Sequence, residues 1–313
     1  MALPKHRSES SWADGPIFVA GKSGQLARCL QELAVKQTLP LVAFGRPEFD
    51  LSRDVDVEQV ITGLAPAAII NAAAYTMVDQ AEVEPEVARA INRDGAARLA
   101  AVARSRNIPF VHISTDYVFD GAKLSPYNEE DQSAPLNVYG RSKYEGEVAV
   151  FAAHPHAVVI RTSWVYSPYG HNFVRTMLRL AATQATVRVV NDQRGTPTSA
   201  SDLAAAVLEI VRQLRADRFG DKSGIYHLAG RGEASWSDFA EAIFASLTRR
   251  GQRVPTVRAI TTEDYPTPAR RPRNSCLDST KAHRTFRVQL APWQESVERC
   301  LDHIAAPVGS PAC

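Results

Sequence analysis

The sequence predicts an α/β fold: a doubly wound parallel sheet covered by helices on both faces, with a smaller α/β region attached. Two observations carry this. Short apolar runs alternate with longer stretches of helical periodicity through the first half of the 313 residues, the pattern of right-handed βαβ crossovers. A glycine-bearing turn also follows directly on the first apolar run. The composition is 45% hydrophobic and 22% charged, which excludes a largely disordered or fibrous chain. A chain this long buries roughly three quarters of its unfolded surface, so it needs no disulfide or metal staple.

The elements follow in order. Residues 16–21 (PIFVAG) read as a strand, and 24–37 as a helix with apolar residues at helical spacing. LVAF (41–44) is a second strand, DVEQVITGLAP (56–66) a helix stopped by Pro66, and AAIINAAA (67–74) a third strand. Residues 84–107 read as one long helix, followed by the strand PFVHIST (109–115). A turn-rich segment leads to a helix beginning near Tyr139, and AVVIRTSWVY (157–166) is a further strand. In the second half, 173–184 and 236–251 read as amphipathic helices. The proline- and arginine-rich YPTPARRPRNS (265–275) reads as an edge or a ligand-facing loop. This divides the chain into a nucleotide-binding domain, 16–168 with a return segment 199–230, and a substrate domain, 169–198 and 231–305. Residues 1–15 and 306–313 are expected to be flexible tails.

Lys and Arg number 36 against 34 Asp and Glu, a net charge of +2. That balance argues against a nucleic-acid binder, which carries a strongly basic domain. Cys29, Cys276, Cys300 and Cys313 show neither CxxC pairing nor metal-ligand spacing, as expected of reduced thiols. The opening residues lack the apolar core of a signal peptide, and no run of about 18 apolar residues occurs. A cytoplasmic protein without a membrane segment is the expectation.

Gly21-Lys22-Ser23-Gly24-Gln25-Leu26 joins the first strand to its helix. Glycines there permit a tight turn and bring backbone N–H groups to a pyrophosphate at the positive end of the helix. A P-loop reading fails because its first glycine would fall on Pro16. The second strand ends Phe44-Gly45-Arg46-Pro47, with no acid at its tip to hold a ribose 2′-hydroxyl. Arg46 therefore points to the 2′-phosphate of NADPH, with NADH a secondary possibility.

Tyr139 and Lys143 stand four residues apart and share a helix face. A free tyrosine has a pKa of about 10. A nearby ammonium would lower that value and ready the phenol to give a proton to a carbonyl oxygen as hydride arrives at carbon. Thr115 and Asp116 close the strand 109–115, at the end where open α/β sheets bind ligands. Thr115 is placed to orient that proton transfer.

Together GKSGQL (21–26), NAAAYTMVDQAE (71–82), STDYVFDG (114–121), APLNVYGRSKYEGE (134–147), RTSWVY (161–166), VVNDQRGTPT (189–198) and YPTPARRPRNS (265–275) resemble the extended short-chain dehydrogenase/reductase family. The resemblance runs from about residue 16 to 304. It implies an NAD(P)-binding Rossmann fold with a smaller substrate domain, and Tyr139, Lys143 and Thr115 as catalytic residues. Cofactor contacts are implied at Gly21, Gly24, Gln25, Leu26, Asp50, Leu51, Ala74, Tyr75 and Thr76, besides Arg46, Tyr139 and Lys143. Substrate contacts are implied at Thr115, Asp116 and Trp164, with Arg271 a diphosphate partner by its charge. The implied reaction is NADPH-dependent reduction of the C4 ketone of a dTDP-sugar, dTDP-4-dehydro-β-L-rhamnose, for surface polysaccharide. Two alternatives stand beside it: a reductase giving the C4 epimer, a 6-deoxytalose nucleotide, and a non-catalytic regulatory subunit. Some relatives form magnesium-linked homodimers through acidic side chains. Cys29 and Ser201 occupy the candidate acidic positions here, so magnesium is not expected and a homodimer is left open.

If Arg46 selects the 2′-phosphate, Arg46→Ala weakens NADPH binding much more than NADH binding in fluorescence titrations. Equal losses for the two cofactors would reject that role.

Overall fold

Ile17–Ala20, Leu41–Phe44 and Ala68–Asn71 form β1, β2 and β3, separated by α1 (Gln25–Lys36) and α2 (Val57–Leu64). The computed structural model describes residues 15–53, 57–217 and 222–306, so the expected tails fall almost wholly outside the described residues. Helices α3 (Val78–Ala81), α4 (Pro85–Arg89) and α5 (Ala96–Ser105) lead to β4 (Phe110–Thr115). Then come α6 (Val138–Ala153), β5 (Val158–Thr162) and β6 (Val165–Tyr166). The second half contains α7 (Phe173–Ala181), β7 (Thr186–Val190), β8 (Arg194–Gly195), β9 (Thr198–Ser199) and α8 (Ala200–Ala216). It continues with β10 (Gly224–His227), β11 (Ala234–Ser235), α9 (Trp236–Arg249), β12 (Thr256–Ile260), β13 (Asn274–Ser275), α10 (Thr280–Phe286) and α11 (Trp293–Ala305).

Six strands form one sheet in the order β10-β5-β4-β3-β1-β2, and every pairing is parallel. β1, β3 and β5 are buried along their whole length, as a sheet covered on both faces requires. One face carries α1, α8 and α10 over Ile17, Val19, Ile70 and Ile160. The other carries α2, α5 and α6 over Phe18, Ile69, Phe110 and Val159. A separate apolar cluster joins α7, α9 and α11 with Val187 and Val189 of β7. Among the described residues no helix is long and apolar enough to cross a membrane.

Two expected elements are interrupted, each where a side chain is redirected. The long helix over 84–107 contains a π-helical turn, Ala90–Gly95. Gly95 lies against Leu51, whose carbonyl oxygen would stand 2.5 Å from a β-carbon there, and Asn92 is turned into the interior. Such turns commonly occur where a helix is bent to a functional need. The strand over 157–166 breaks between β5 and β6, where Trp164 adopts φ +46°, a conformation that a bulky residue adopts only under local constraint.

The buried face of α6 is not an apolar stripe. It consists of Gly140, Ser142, Lys143, Gly146, Glu147 and Val150. A β-carbon on Gly140 would stand 2.1 Å from the Tyr117 carbonyl oxygen, and one on Gly146 2.1 Å from that of Asn92. Close backbone approach thus replaces apolar packing. A buried ion pair completes the attachment. Arg161 Nε and Nη2 donate to Glu147 at 2.9 and 2.6 Å, and Ser114 Oγ donates to the same carboxylate at 2.5 Å. The register sets Ser114 beside Arg161. One carboxylate therefore joins α6 to β4 and β5.

Removing one member of a buried pair leaves the other charge uncompensated. Arg161→Met should cost about 3–5 kcal/mol in urea unfolding. A loss below about 1 kcal/mol, the scale of an exposed pair, would show that the pair does not hold the helix.

Candidate active site

The C-terminal ends of the parallel strands form the site. Gly21, at φ +110°, turns the chain after β1, where a β-carbon would meet the Ala72–Ala73 backbone at 3.2 Å. Gly24 is the N-cap of α1, with no side chain bonded to the cap and no acid in the first turn. A β-carbon on Gly24 would have no atom within 4 Å. The start of α1 thus has open space beside its capping glycine, a cradle that fits a dinucleotide pyrophosphate.

The other expected cofactor residues surround this cradle in different ways. The Gln25 side chain turns to the break after β5, donating to the Val165 carbonyl at 3.2 Å and accepting from Ser167 Oγ at 2.9 Å. Leu26 is buried in the core. Arg46 is exposed at the tip of β2, and Gly45 beside it lies against Lys22. Asp50 accepts from the Ser52 amide and hydroxyl, and the carbonyl of buried Leu51 accepts from Arg98 at 2.5 Å. Ala74, Tyr75 and Thr76 follow β3; Ala74 is half-buried, Tyr75 buried and Thr76 exposed. Asn92 fixes the middle residue, accepting from the Tyr75 N–H at 2.8 Å and donating to its carbonyl at 3.1 Å. Asn92 also donates to Ser142 of α6 at 2.8 Å. The Tyr75 phenol turns aside to Glu84 at 2.9 Å.

Tyr139 sits in the first turn of α6, which Asn137 caps by accepting from the Gly140 N–H at 2.7 Å. Thr115 acts on the Tyr139 phenol to lower its pKa and donates to Asp116 at 3.0 Å. Tyr117 meets the Tyr139 ring edge to face, with centroids 5.7 Å apart. Burial pushes the Tyr139 phenol up to about 12, against a lowering by Thr115. Burial likewise raises the Asp116 carboxyl to about 6. The phenol thus lies above its ordinary value, not below it as the tyrosine–lysine spacing led one to expect. Lys143 Nζ donates to the Ile113 carbonyl at 2.6 Å and stands 3.4 Å from His112 Nε2. Burial is the largest influence on the phenol, with Thr115 acting against it.

Trp164 stacks on Trp236 with centroids 3.5 Å apart and lies directly over Gly195, where a β-carbon would meet the indole at 2.3 Å. Trp236 donates to Gln193 at 3.2 Å. Arg271 departs from expectation. Its guanidinium donates to both oxygens of Asp79 at 2.5 and 2.7 Å and to the Ala269 carbonyl at 2.6 Å. The Ala269 amide donates back to Asp79 at 3.1 Å. Arg271 thus pins its own loop to α3 rather than presenting a free fork to a diphosphate; Arg270 and Arg273 are the exposed arginines of that loop. Asn137 donates to the Arg270 carbonyl at 2.7 Å, tying the loop to the start of α6.

Sequence reading did not single out Asn92, Asn137, Asp79, His112 or Glu147. Asn137 carried a signal, an N-cap residue opening a helix. The others lie inside apparently regular segments, and only the fold turns them inward. Ser201 Oγ lies 3.5 Å from Cys29 Sγ. Among the described residues no group of three or more His, Cys, Asp or Glu is placed to hold a metal ion.

The parallel sheet, the open glycine cradle and Tyr139, Thr115 and Lys143 at the strand ends define a Rossmann-type nicotinamide-dependent oxidoreductase. Comparison with known proteins narrows this. The sequence profile of the RmlD substrate binding domain matches residues 15–306. A dTDP-4-dehydrorhamnose reductase of Sinorhizobium fredii is 49% identical over 283 residues, 90% of this chain and 95% of its own. The dTDP-4-dehydrorhamnose reductase of Escherichia coli K12 is 39% identical, covering 92% and 97%. A Bacillus anthracis dTDP-4-dehydrorhamnose reductase solved in complex with NADP superposes with TM-score 0.85 at 34% identity, covering 93% of this chain and 99% of that one. A Clostridium acetobutylicum dTDP-4-dehydrorhamnose reductase gives 0.86 at 35%, covering 93% and 100%. The chain belongs to the dTDP-4-dehydrorhamnose reductase family.

A double-mutant cycle tests the clasp. Asp79→Ala and Arg271→Ala should each destabilise the protein, with a coupling energy of about 0.5–3 kcal/mol between them. Independent, additive losses would mean that the two side chains do not act together.

Proposed function

We propose that the protein reduces the C4 ketone of dTDP-4-dehydro-β-L-rhamnose to the hydroxyl of dTDP-β-L-rhamnose with NADPH. The observation that carries this is half-buried Tyr139 at the start of α6, its phenol influenced by Thr115 at the C-terminal end of β4. The family's activity, and the NADP held by one of its solved members, support the same reading.

NADPH supplies the hydride that reaches C4. As negative charge gathers on O4, Tyr139 gives it a proton and Thr115 steadies the phenol and the oxygen. A phenol held near 12 is fully protonated at pH 7, so it enters the reduction as the acid. Lys143 carries a positive charge beside the phenol and offers N–H donors to a ribose hydroxyl of the cofactor. The N–H groups at the start of α1 take the pyrophosphate, and Arg46 takes the 2′-phosphate. On the substrate side, Asp116 and Trp164 border the sugar. Exposed Arg270 and Arg273, rather than Arg271, are available to the diphosphate. The division into a nucleotide-binding domain, 16–168 with 199–230, and a substrate domain, 169–198 with 231–305, belongs to the same proposal. Ala282 and Phe286 of α10 pack with α8 on the sheet, so the second segment would reach back across the first domain.

Purified protein with the 4-keto sugar nucleotide oxidises NADPH, and NMR of the product distinguishes the rhamnose from the C4-epimeric sugar. Tyr139→Phe lowers kcat by about 10²–10⁴, the usual scale of general acid catalysis, while NADPH binding persists. Retention of most of the wild-type kcat would remove Tyr139 from the proton transfer.

A further inference from the structure

Beneath Lys143, the register of the sheet sets Asn71 of β3 beside His112 of β4, and both side chains are buried. Asn71 Oδ1 accepts from the Ala73 N–H at 3.2 Å, which fixes the amide's orientation. Its Nδ2 therefore faces His112 Nδ1, 3.1 Å away. An amide nitrogen only donates, so Nδ1 must accept. A neutral imidazole then carries its one proton on Nε2, the atom 3.4 Å from Lys143 Nζ. An Nε2–H has no lone pair to offer an ammonium.

We propose that His112, locked by Asn71 as the Nε2–H tautomer, is a positioning residue that withholds a proton acceptor from Lys143. It thereby sets the pH at which the lysine gives up its proton. The inference rests on the reading of Lys143 as part of the reductase site. With His112 closed to it, the lysine is held by the Ile113 carbonyl, and its remaining N–H donors are left for the phenol and the cofactor.

The groups around the lysine support this. On its own helix stand Tyr139 and Glu147, the latter engaged by Arg161 of β5 and Ser114 of β4. Asp116 and Tyr117 follow β4. From α4 and the π-helical turn, Arg89 and Arg93 approach Glu145. Burial pushes the Lys143 ammonium down to about 8, with Glu147 acting against it. Burial and the facing lysine hold His112 well below its ordinary value. The ammonium is thus present below about 8 and lost above it.

The test uses the full-length protein labelled with ¹⁵N-histidine, the His112 resonances being identified by their loss in His112→Gln. The proposal requires a neutral His112 protonated on Nε2 at pH 7. An Nδ1–H tautomer or an imidazolium would overturn it, whatever the enzyme's activity. In Asn71→Asp the carboxylate accepts from Nδ1–H, freeing Nε2 to accept from the lysine. The basic limb of the kcat/KM profile for NADPH and the 4-keto sugar nucleotide should then move up by about 1 pH unit or more, the scale of a neighbouring charge. A switched tautomer with an unmoved limb would equally overturn it. Should Asn71→Asp fail to fold, His112→Gln, whose amide oxygen is an acceptor, should move the same limb upward. No movement there would refute the tuning role.

Discussion

The Glu147–Arg161 pair fixes the helix on which the candidate chemistry depends. α6 carries Tyr139 and Lys143, yet apart from Val150 the face it buries is made of glycine, serine and charge. Hydrophobic burial sets a helix's position only loosely, because it is non-directional. A two-point guanidinium–carboxylate contact with a third bond from Ser114 is directional. It fixes the rotation of α6 and its position along the axis, while Gly140 and Gly146 let the backbone settle against Tyr117 and Asn92. Burying two charges is expensive and gives little net stability. What it provides here is a defined distance between α6 and the ends of β4 and β5.

That distance lets burial control protonation. Tyr139 is close enough to Thr115 to be oriented by it and deep enough to remain a phenol at neutral pH. Lys143 reaches the Ile113 carbonyl, and β3 supplies the Asn71 amide that dictates what the next side chain can accept. On the other side, Asn137 caps α6 and holds the Arg270 carbonyl, while Asp79 holds Arg271. The segment following β3, the start of α6 and the 265–275 loop are therefore joined by polar contacts around the tyrosine.

The doubly wound sheet was legible in the sequence because its strands are short, largely apolar runs separated by helical periodicity. The 41–44 strand falls where it was expected. The glycine turn and the Tyr139–Lys143 spacing were legible because the backbone and the helix period determine them locally. The π-helical turn and the break at Trp164 were not, since each arises from contacts with distant segments, Leu51 in one case and Gly195 in the other. Arg271 illustrates the same limit: an arginine-rich loop announces charge, but only the fold brings Asp79 to neutralise one member. The partnership of Tyr139 with Lys143 was read from their spacing, the neighbouring strand end and the family resemblance. Burial, which no local pattern records, is the largest influence on the phenol.

Tracing the hydride tests most directly whether this site reduces a ketone at C4. NADPH carrying deuterium at the transferable position of its nicotinamide ring would be turned over with the 4-keto sugar nucleotide, and the product examined by NMR. Reduction in this site places one deuterium on C4 of the sugar and none elsewhere, and Thr115→Val slows that transfer without redirecting it. Deuterium at another carbon, or a product formed without deuterium, would contradict the assignment.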